Sequence, residues 1–191
     1  MRYDVIDPHP LNELEFTEFV NYIPPTWDEL FMLDIYRIAE KSKDPRSKLG
    51  AVLVDWESKF PFSRGYNDFP RKVKDRIPER WERPEKYFWV AHAEANSILN
   101  CAREGIKTKG SVMFTQGVPC DRCSVDVIQA GIVEVVVHKQ WQVYEKKFNW
   151  EKWNEASIRS EAMLNEAGVK IRVFDGVLGV KGFLDGKVIN L

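Results

Sequence analysis

The feature that most constrains the fold is the alternation of apolar strands with helices over residues 111–174. Apolar runs at 111–115, 132–138 and 169–174 predict β-strands. The helical periodicity of residues 120–130 and about 149–167 predicts a helix in each interval. Strands that alternate with helices in this way are joined by right-handed crossovers, so the pattern predicts parallel pairing of these three strands.

The N-terminal half predicts a helix followed by a hairpin. Thr26 and Glu29 have the spacing of a capping box ahead of an amphipathic segment that extends to about Lys43. Apolar runs at 49–55 and 60–66 then predict two antiparallel strands. These strands would join the three parallel ones in a single sheet.

A further helix is predicted at 91–104, where Gly105 is well placed to end it. We therefore expect one α/β domain over residues 1–191, with three α/β/α layers and a central mixed five-stranded sheet. Three segments would lie outside this frame, namely an N-terminal arm at 1–25, a loop insertion at 67–86 and a C-terminal tail at 175–191.

Charge and cysteine content narrow the functional class. The 191 residues include 28 Lys+Arg and 29 Asp+Glu, giving a net charge of −1, which argues against a protein that binds nucleic acid by neutralising phosphates. Three cysteines are few for a chain of this length, and an odd number cannot all form pairs. The cysteine content therefore argues against a secreted disulfide scaffold. No apolar run has the length of a signal peptide or a membrane span, so we expect a cytoplasmic protein without membrane or nucleic-acid partners.

A candidate metal site lies at the starts of two predicted helices. His92 opens one helix, and the Pro-Cys-x-x-Cys sequence at 119–123 opens another. One imidazole and two thiolates are good ligands for Zn²⁺, and three protein ligands leave a fourth position for water. Cys120 and Cys123 are three residues apart on one helix face, so both sulfurs can reach one ion.

We predict different roles for Glu94 and Cys101. Glu94 follows His92 by two residues and is therefore poorly placed as a ligand, but it can exchange protons with a water that zinc activates. Cys101 lies nine residues beyond His92, too far along the helix to reach the same ion. We expect Cys101 to be a small residue of the core.

Each half of this pattern is ambiguous alone. A Cys-x-x-Cys sequence could be a chance helix start, a redox pair or half of a structural zinc site. Together, His-x-Glu and Pro-Cys-x-x-Cys match the signature of zinc-dependent nucleobase deaminases. The helix, strand and helix predicted between the two halves are the context expected for that signature.

The sequence resembles the deoxycytidylate (dCMP) deaminases of the cytidine deaminase-like superfamily. Beyond the zinc motif, similar segments occur in the same order over about residues 26–174, at 42–47, 49–54, 65–67, 87–96, 128–132 and 166–169. The resemblance implies hydrolytic deamination of dCMP to dUMP with release of ammonia, which supplies the precursor of dTTP. It also implies a homo-oligomer, commonly a hexamer, activated by dCTP and inhibited by dTTP.

The resemblance also implies roles for individual residues. His92, Cys120 and Cys123 would bind one zinc ion, and Glu94 would be the proton shuttle. Asn67 would contact the sugar 3′-hydroxyl, and the backbone of Ala93 would bind the pyrimidine ring. Gly65 and Tyr66 would lie near the effector site.

The 5′-phosphate requires cationic or hydrogen-bonding partners. Arg71 is the nearest candidate along the chain, although the charge run at 71–86 is more often a solvated surface. With no cysteine before Cys101, we expect a single metal ion.

Two positions depart from the family pattern. Gln116 stands where relatives usually have Thr, which would reshape the strand end beside the zinc. Asp68 follows Asn67 in place of Gly, adding a charge where a triphosphate effector could approach.

Two other functions remain open from the sequence. A tRNA adenosine deaminase, or another polynucleotide-directed deaminase of the superfamily, would need a basic docking face, which the net charge disfavours. A non-catalytic zinc-stabilised assembly module would make Glu94 dispensable.

Overall fold

The computed structural model describes residues 21–191, with residues 149–154 described by their backbone alone. The helices are α1 (Trp27–Ala39), α2 (Lys86–Trp89), α3 (Ala93–Glu104), α4 (Asp121–Gln129) and α5 (Lys139–Glu166), with a 3₁₀ helix at Pro78–Trp81. The strands are β1 (Gly50–Asp55), β2 (Phe60–Tyr66), β3 (Val112–Thr115), β4 (Glu134–His138), β5 (Lys170–Phe174), β6 (Lys181–Leu184) and β7 (Lys187–Asn190).

The first five strands form one mixed sheet in the order β2-β1-β3-β4-β5. β1 runs antiparallel to both β2 and β3. The pairs β3–β4 and β4–β5 are parallel, which confirms the pairing predicted from the helix and strand alternation. β3 and β4 lie inside the sheet, and their side chains are almost all buried because apolar layers pack on both of its faces.

The sheet separates two apolar layers, as its alternating side chains require. Val52 and Val54 of β1 pack on one face with α1, Trp141 of α5 and the β6–β7 hairpin. Leu53 packs on the opposite face with α3, α4 and Leu164 of α5. The predicted three-layer α/β/α architecture is confirmed, and α5 contributes side chains to both faces.

The helix before β5 is longer than predicted, since α5 begins at Lys139 and not near residue 149. The buried Trp141 and the partly buried Tyr144 and Phe148 recur at helical spacing. That signal extends the helix back to the end of β4. At the other end of the fold, the capping box of Thr26 and Glu29 is present, but α1 stops at Ala39 and not near residue 43.

The segment at 67–86 contains one short 3₁₀ helix and packs through its aromatic residues. The rings of Phe69 and Trp81 lie 4.6 Å apart between centroids, and the Trp81 indole donates to the carbonyl of Asp75 at 2.7 Å. This packing fixes the approach of the chain to α2. The predicted tail folds into the β6–β7 hairpin, whereas the predicted arm lies mostly outside the described residues. Within residues 21–191, no helix is both long and apolar enough to span a bilayer.

Candidate active site

The predicted metal ligands meet where α3 and α4 begin. His92 is the N-cap of α3 and Cys120 is the N-cap of α4, both with extended backbone, while Cys123 lies in the first turn of α4. The Nδ1 atom of His92 lies 3.4 Å from each cysteine Sγ. The three ligand atoms all lie within 4.8 Å of one another, so one ion can contact them together.

The chemistry of this donor set fits zinc. The pKa of Cys120 is lowered to about 4, first by the hydrogen bond from Cys123 and then by His92. The pKa of Cys123 is raised by the hydrogen bond to Cys120 and by burial. Two sulfurs that share a proton beside an imidazole nitrogen form a site in which a dication would replace the shared proton. The site therefore accommodates one zinc ion.

Glu94 lies in the first turn of α3 and faces the same point. Its side chain is buried, and its Oε2 atom lies 3.8 Å from the Sγ of Cys123. Burial raises the pKa of Glu94, and the positive charge of His92 acts in the opposite direction. A carboxyl group in this position can hold or release a proton beside the metal ligands.

Ala93, which precedes Glu94, and the third cysteine, Cys101, are both buried in the interior. Ala93 is fully buried at the first position of α3. Cys101 is fully buried in the apolar layer on the α3 side of the sheet and is not part of the ligand group. The prediction that Cys101 belongs to the core is confirmed.

One pocket contains the metal ligands together with two cations. His92, Glu94 and Cys120 line it, and so do Arg83 and Lys86. The remaining walls come from several elements, namely Asp44, Ser47, Leu49, Asn67, Tyr87, Val90, Thr115, Gly117, Val118, Trp141, Glu145, Ser157 and Leu184. The pocket therefore combines a metal-binding group with two cations.

The two cations differ in how firmly they are held. The Nζ atom of Lys86 lies 2.5 Å from the Oδ2 of the fully buried Asp44. Arg83 is looser, with 3.6 Å between its Nη1 atom and the Oδ1 of Asp185, and its side chain is 33% exposed. Arg83 can therefore turn its guanidinium toward an anion in the pocket.

Asn67 lines the pocket, but its amide is occupied by the protein. Its Nδ2 donates to Asp44 at 3.0 Å and to the Ser47 carbonyl at 2.8 Å. Its Oδ1 accepts from the Leu49 amide at 2.7 Å. Both amide hydrogens are used, so Asn67 has only a second lone pair on Oδ1 to offer a ligand.

Three other predicted residues lie away from the pocket lining. Arg71 is on the surface, where its Nη2 donates to the Oδ1 of Asn100 at 2.6 Å. Gly65 packs against α3 so closely that a Cβ there would stand 2.1 Å from the Ala93 carbonyl oxygen. The carbonyl of Tyr66 accepts from the Asn96 side chain at 2.8 Å.

The two departures from the family pattern have structural consequences. The fully buried Gln116 accepts a hydrogen bond from the Gly50 amide at 2.9 Å, so it ties the end of β3 to the start of β1. Its Nε2 atom has no hydrogen-bond partner among the described residues. Asp68 is turned inward and pairs with Lys43 at 3.0 Å.

Four pocket residues were not predicted from the sequence. Arg83 and Lys86 belong to the charge run at 71–86, which resembles a solvated surface in sequence. Trp141 and Glu145 lie four residues apart on one face of α5, a helix stretch that the sequence reading omitted. Spacing alone could have identified this second pair.

Glu145 is the second carboxyl group of the pocket. Burial raises its pKa to about 7, and the negative charge of Glu94 acts in the same direction. Glu145 forms no ion pair within the part of the chain whose side chains are described. The fully buried Trp141 indole lies next to it, yet its N–H has no partner in hydrogen-bond geometry among the described residues.

The fold and the His, Cys, Cys and Glu arrangement define a zinc-binding deaminase site. Residues 25–139 match the family described as the cytidine and deoxycytidylate deaminase zinc-binding region. The chain belongs to this family.

Named relatives agree with this assignment. The chain is 35% identical to a human deoxycytidylate deaminase over 156 residues, which are 78% of this chain and 79% of the relative. It is 35% identical to a probable deoxycytidylate deaminase of Drosophila melanogaster over 121 residues, which are 58% of each chain.

A solved structure supports the fold. The dCMP deaminase from the cyanophage S-TIM5, in complex with dCMP and dUMP, superposes with a TM-score of 0.59 at 21% identity. The match covers 80% of this chain and 100% of that one. At this identity the similarity concerns the architecture of the sheet and its helices.

Proposed function

We propose that this protein is a single-domain enzyme that deaminates dCMP to dUMP with water and releases ammonia. The observation that carries the proposal is one pocket that combines a zinc-type donor set and Glu94 with two cations, Arg83 and Lys86. A pyrimidine mononucleotide has a reactive base at one end and an anionic phosphate at the other. The similarity to deoxycytidylate deaminases supports the same substrate.

At the metal site, His92, Cys120 and Cys123 would hold zinc. The bound ion would supply Lewis-acid activation of the attacking water. Glu94 would take one proton from that water as the water oxygen bonds to C4, and would deliver it to N3 of the cytosine ring. It would then move the remaining proton of the C4 hydroxyl to the departing 4-amino group. The C4–N4 bond breaks and a C4 carbonyl forms, so dCMP and water give dUMP and ammonia.

The backbone of Ala93 would bind the ring beside Glu94, since Ala93 begins the same helix. In the same pocket, Arg83 and Lys86 would bind the 5′-phosphate by charge-assisted hydrogen bonds. Arg71 was predicted for this role, but its side chain is bonded to Asn100 on the surface. The contact predicted between Asn67 and the 3′-hydroxyl would have to use the free lone pair of Oδ1.

The wider setting is also part of the proposal. The family resemblance and the cysteine content support a cytoplasmic enzyme that acts as a homo-oligomer under control by dCTP and dTTP. Gly65 and Tyr66 would affect such control through α3, since both contact that helix. Asp68 would not meet an effector directly while it is paired with Lys43.

The experiment measures ammonia release from dCMP, deoxycytidine and tRNA by the purified, zinc-loaded protein. We expect turnover of dCMP, much less of deoxycytidine and none of tRNA. Activity on tRNA alone would refute the proposal. Elemental analysis should give one zinc per chain, and two would contradict the single site.

A further inference from the structure

The wall of the pocket formed by α5 contains a donor and an acceptor that the reaction does not use. The Trp141 N–H is fully buried and faces the Glu145 carboxyl, but it makes no hydrogen bond of good geometry among the described residues. The Glu145 carboxyl lines the same pocket without an ion pair in the described part of the chain. Buried polar groups without partners are uncommon in folded proteins, so each such group requires an explanation.

The two groups form one unit. They lie four residues apart on α5, so they share a helix face. An indole N–H can only donate, whereas a carboxylate accepts. A hydroxyl group can accept from the first and donate to the second at the same time. The pair is therefore complementary to a hydroxyl.

The nucleotide has one hydroxyl that lacks a full set of partners. Outside its phosphate, dCMP carries a single hydroxyl, at the 3′ position of the sugar. Asn67 cannot donate to it, because both amide hydrogens are bound by Asp44 and Ser47. The cations Arg83 and Lys86 are matched to the phosphate.

We propose that Glu145 and Trp141 bind the 3′-hydroxyl of the deoxyribose. The inference rests on the proposed function for the identity of the nucleotide. Glu145 would accept the hydroxyl proton, and the Trp141 indole would donate to the hydroxyl oxygen. Both residues lie beyond residue 139, where the match to the family model ends.

The test compares the binding of dCMP with that of 2′,3′-dideoxycytidine 5′-monophosphate, which lacks the hydroxyl. Calorimetric titration of the zinc-loaded Glu94→Gln variant measures binding without turnover. It is made about one to two pH units above the pKa of about 7 of Glu145, so that this carboxyl is charged. A hydrogen bond to a charged group predicts that dCMP binds roughly tenfold to a hundredfold more tightly. Adding Glu145→Leu should reduce this ratio to about twofold or less, since leucine cannot accept a hydrogen bond.

Conservative variants distinguish a loss of hydrogen bonding to the 3′-hydroxyl from a loss of side-chain packing in the pocket wall. Glu145→Gln keeps an acceptor oxygen and should restore part of the ratio, whereas Trp141→Phe removes the donor and should lower it. Glu161→Leu, the same change on the exposed surface of α5, should leave the ratio unchanged. A ratio unaffected by Glu145→Leu, or an equal loss for both nucleotides, would overturn the proposal.

The two proposals fail in distinguishable ways. If both nucleotides bind with the predicted ratio but the wild-type protein releases no ammonia, the proposed function fails and the recognition of the sugar stands. If dCMP is deaminated and the parent variant does not distinguish the two nucleotides, the recognition fails alone. If neither nucleotide binds, both are wrong.

Discussion

The metal ligands and the α5 residues of the pocket differ in how their polar groups are satisfied. On the metal side, His92, Glu94 and the two cysteines contact one another and lie within the family match at 25–139. On the α5 side, Trp141 and Glu145 lie beyond the last residue of that match. There the indole N–H has no hydrogen-bond partner in the described part of the chain.

This difference indicates which residues carry out the reaction and which residues bind the sugar. Groups that already contact one another around a single point are preorganised for a reaction, which requires fixed distances. Groups that lack partners are suited to a ligand that supplies them. We therefore assign the reaction to the metal side and the binding of the sugar 3′-hydroxyl to the α5 residues.

The largest effect should come from Glu94→Gln on the metal side. The amide keeps the size of the carboxyl group but cannot carry the proton, so turnover of dCMP should fall about 10²–10⁴-fold. Ammonia release measures the rate, while zinc analysis and circular dichroism check that metal and fold are retained. Near-normal turnover with zinc bound would show that another group moves the proton.

Gly65→Ala should have the next largest effect, because Gly65 packs against α3, the helix that positions His92 and Glu94. The added Cβ would stand 2.1 Å from the Ala93 carbonyl oxygen and 2.4 Å from the Ser97 amide nitrogen, both backbone atoms of α3. Because backbone cannot turn aside, we expect a loss of about 3 kcal/mol in the free energy of unfolding. Thermal unfolding should shift by roughly 6–12 °C. An unchanged midpoint with an altered dCTP response would instead favour the effector role predicted for Gly65.

The cations of the pocket give the third prediction. Arg83→Ala should lower kcat/KM for dCMP roughly tenfold to a hundredfold, because a charge-assisted bond to the phosphate is lost. Deoxycytidine has no phosphate, so its kcat/KM should not change. Arg71→Ala is the matched control and should change neither value by more than about twofold. If Arg71→Ala lowered kcat/KM for dCMP and Arg83→Ala did not, Arg71 would be the phosphate partner.

Asp185→Asn tests whether the ion pair of Arg83 matters by itself. It removes the charge opposite Arg83 while keeping the side-chain size at the turn between β6 and β7. Activity on dCMP should be retained or increased. A loss equal to that of Arg83→Ala would show that the ion pair acts through the fold of the hairpin.

Much of the fold was predictable because its signals are local. The capping box at Thr26 and the strand alternation depend on residues close in sequence, and both are present in the structure. The metal ligands were predictable for a related reason. Each lies at a helix start, and helix starts follow turn residues that can be recognised.

The rest of the site depends on contacts between distant segments. Arg83 and Lys86 cannot be told from surface charges until the loop packs through Phe69 and Trp81. The occupied amide of Asn67 is visible only once Asp44 and Ser47 are folded against it. Glu145 was missed because the start of α5 was placed too late, which left the spacing of Trp141 and Glu145 unused.

The smallest effect is expected from Gly117→Ala, which reaches the α5 wall indirectly. A Cβ at this position would stand 2.8 Å from the Oε2 of Glu145 and 3.4 Å from Cδ1 of Trp141. In contrast to Gly65, the nearest atom is the end of a flexible side chain, so Glu145 can move away at a cost below about 1 kcal/mol. Displacing Glu145 should lower the preference for dCMP over its dideoxy analogue by a few-fold, while thermal unfolding shifts by only about 2–4 °C or less. The titrations described for Glu145 measure this ratio in the Glu94→Gln background. If Gly117→Ala lowered the binding of both nucleotides equally, the wall would act by shape alone and the division between the two sides of the pocket would not hold.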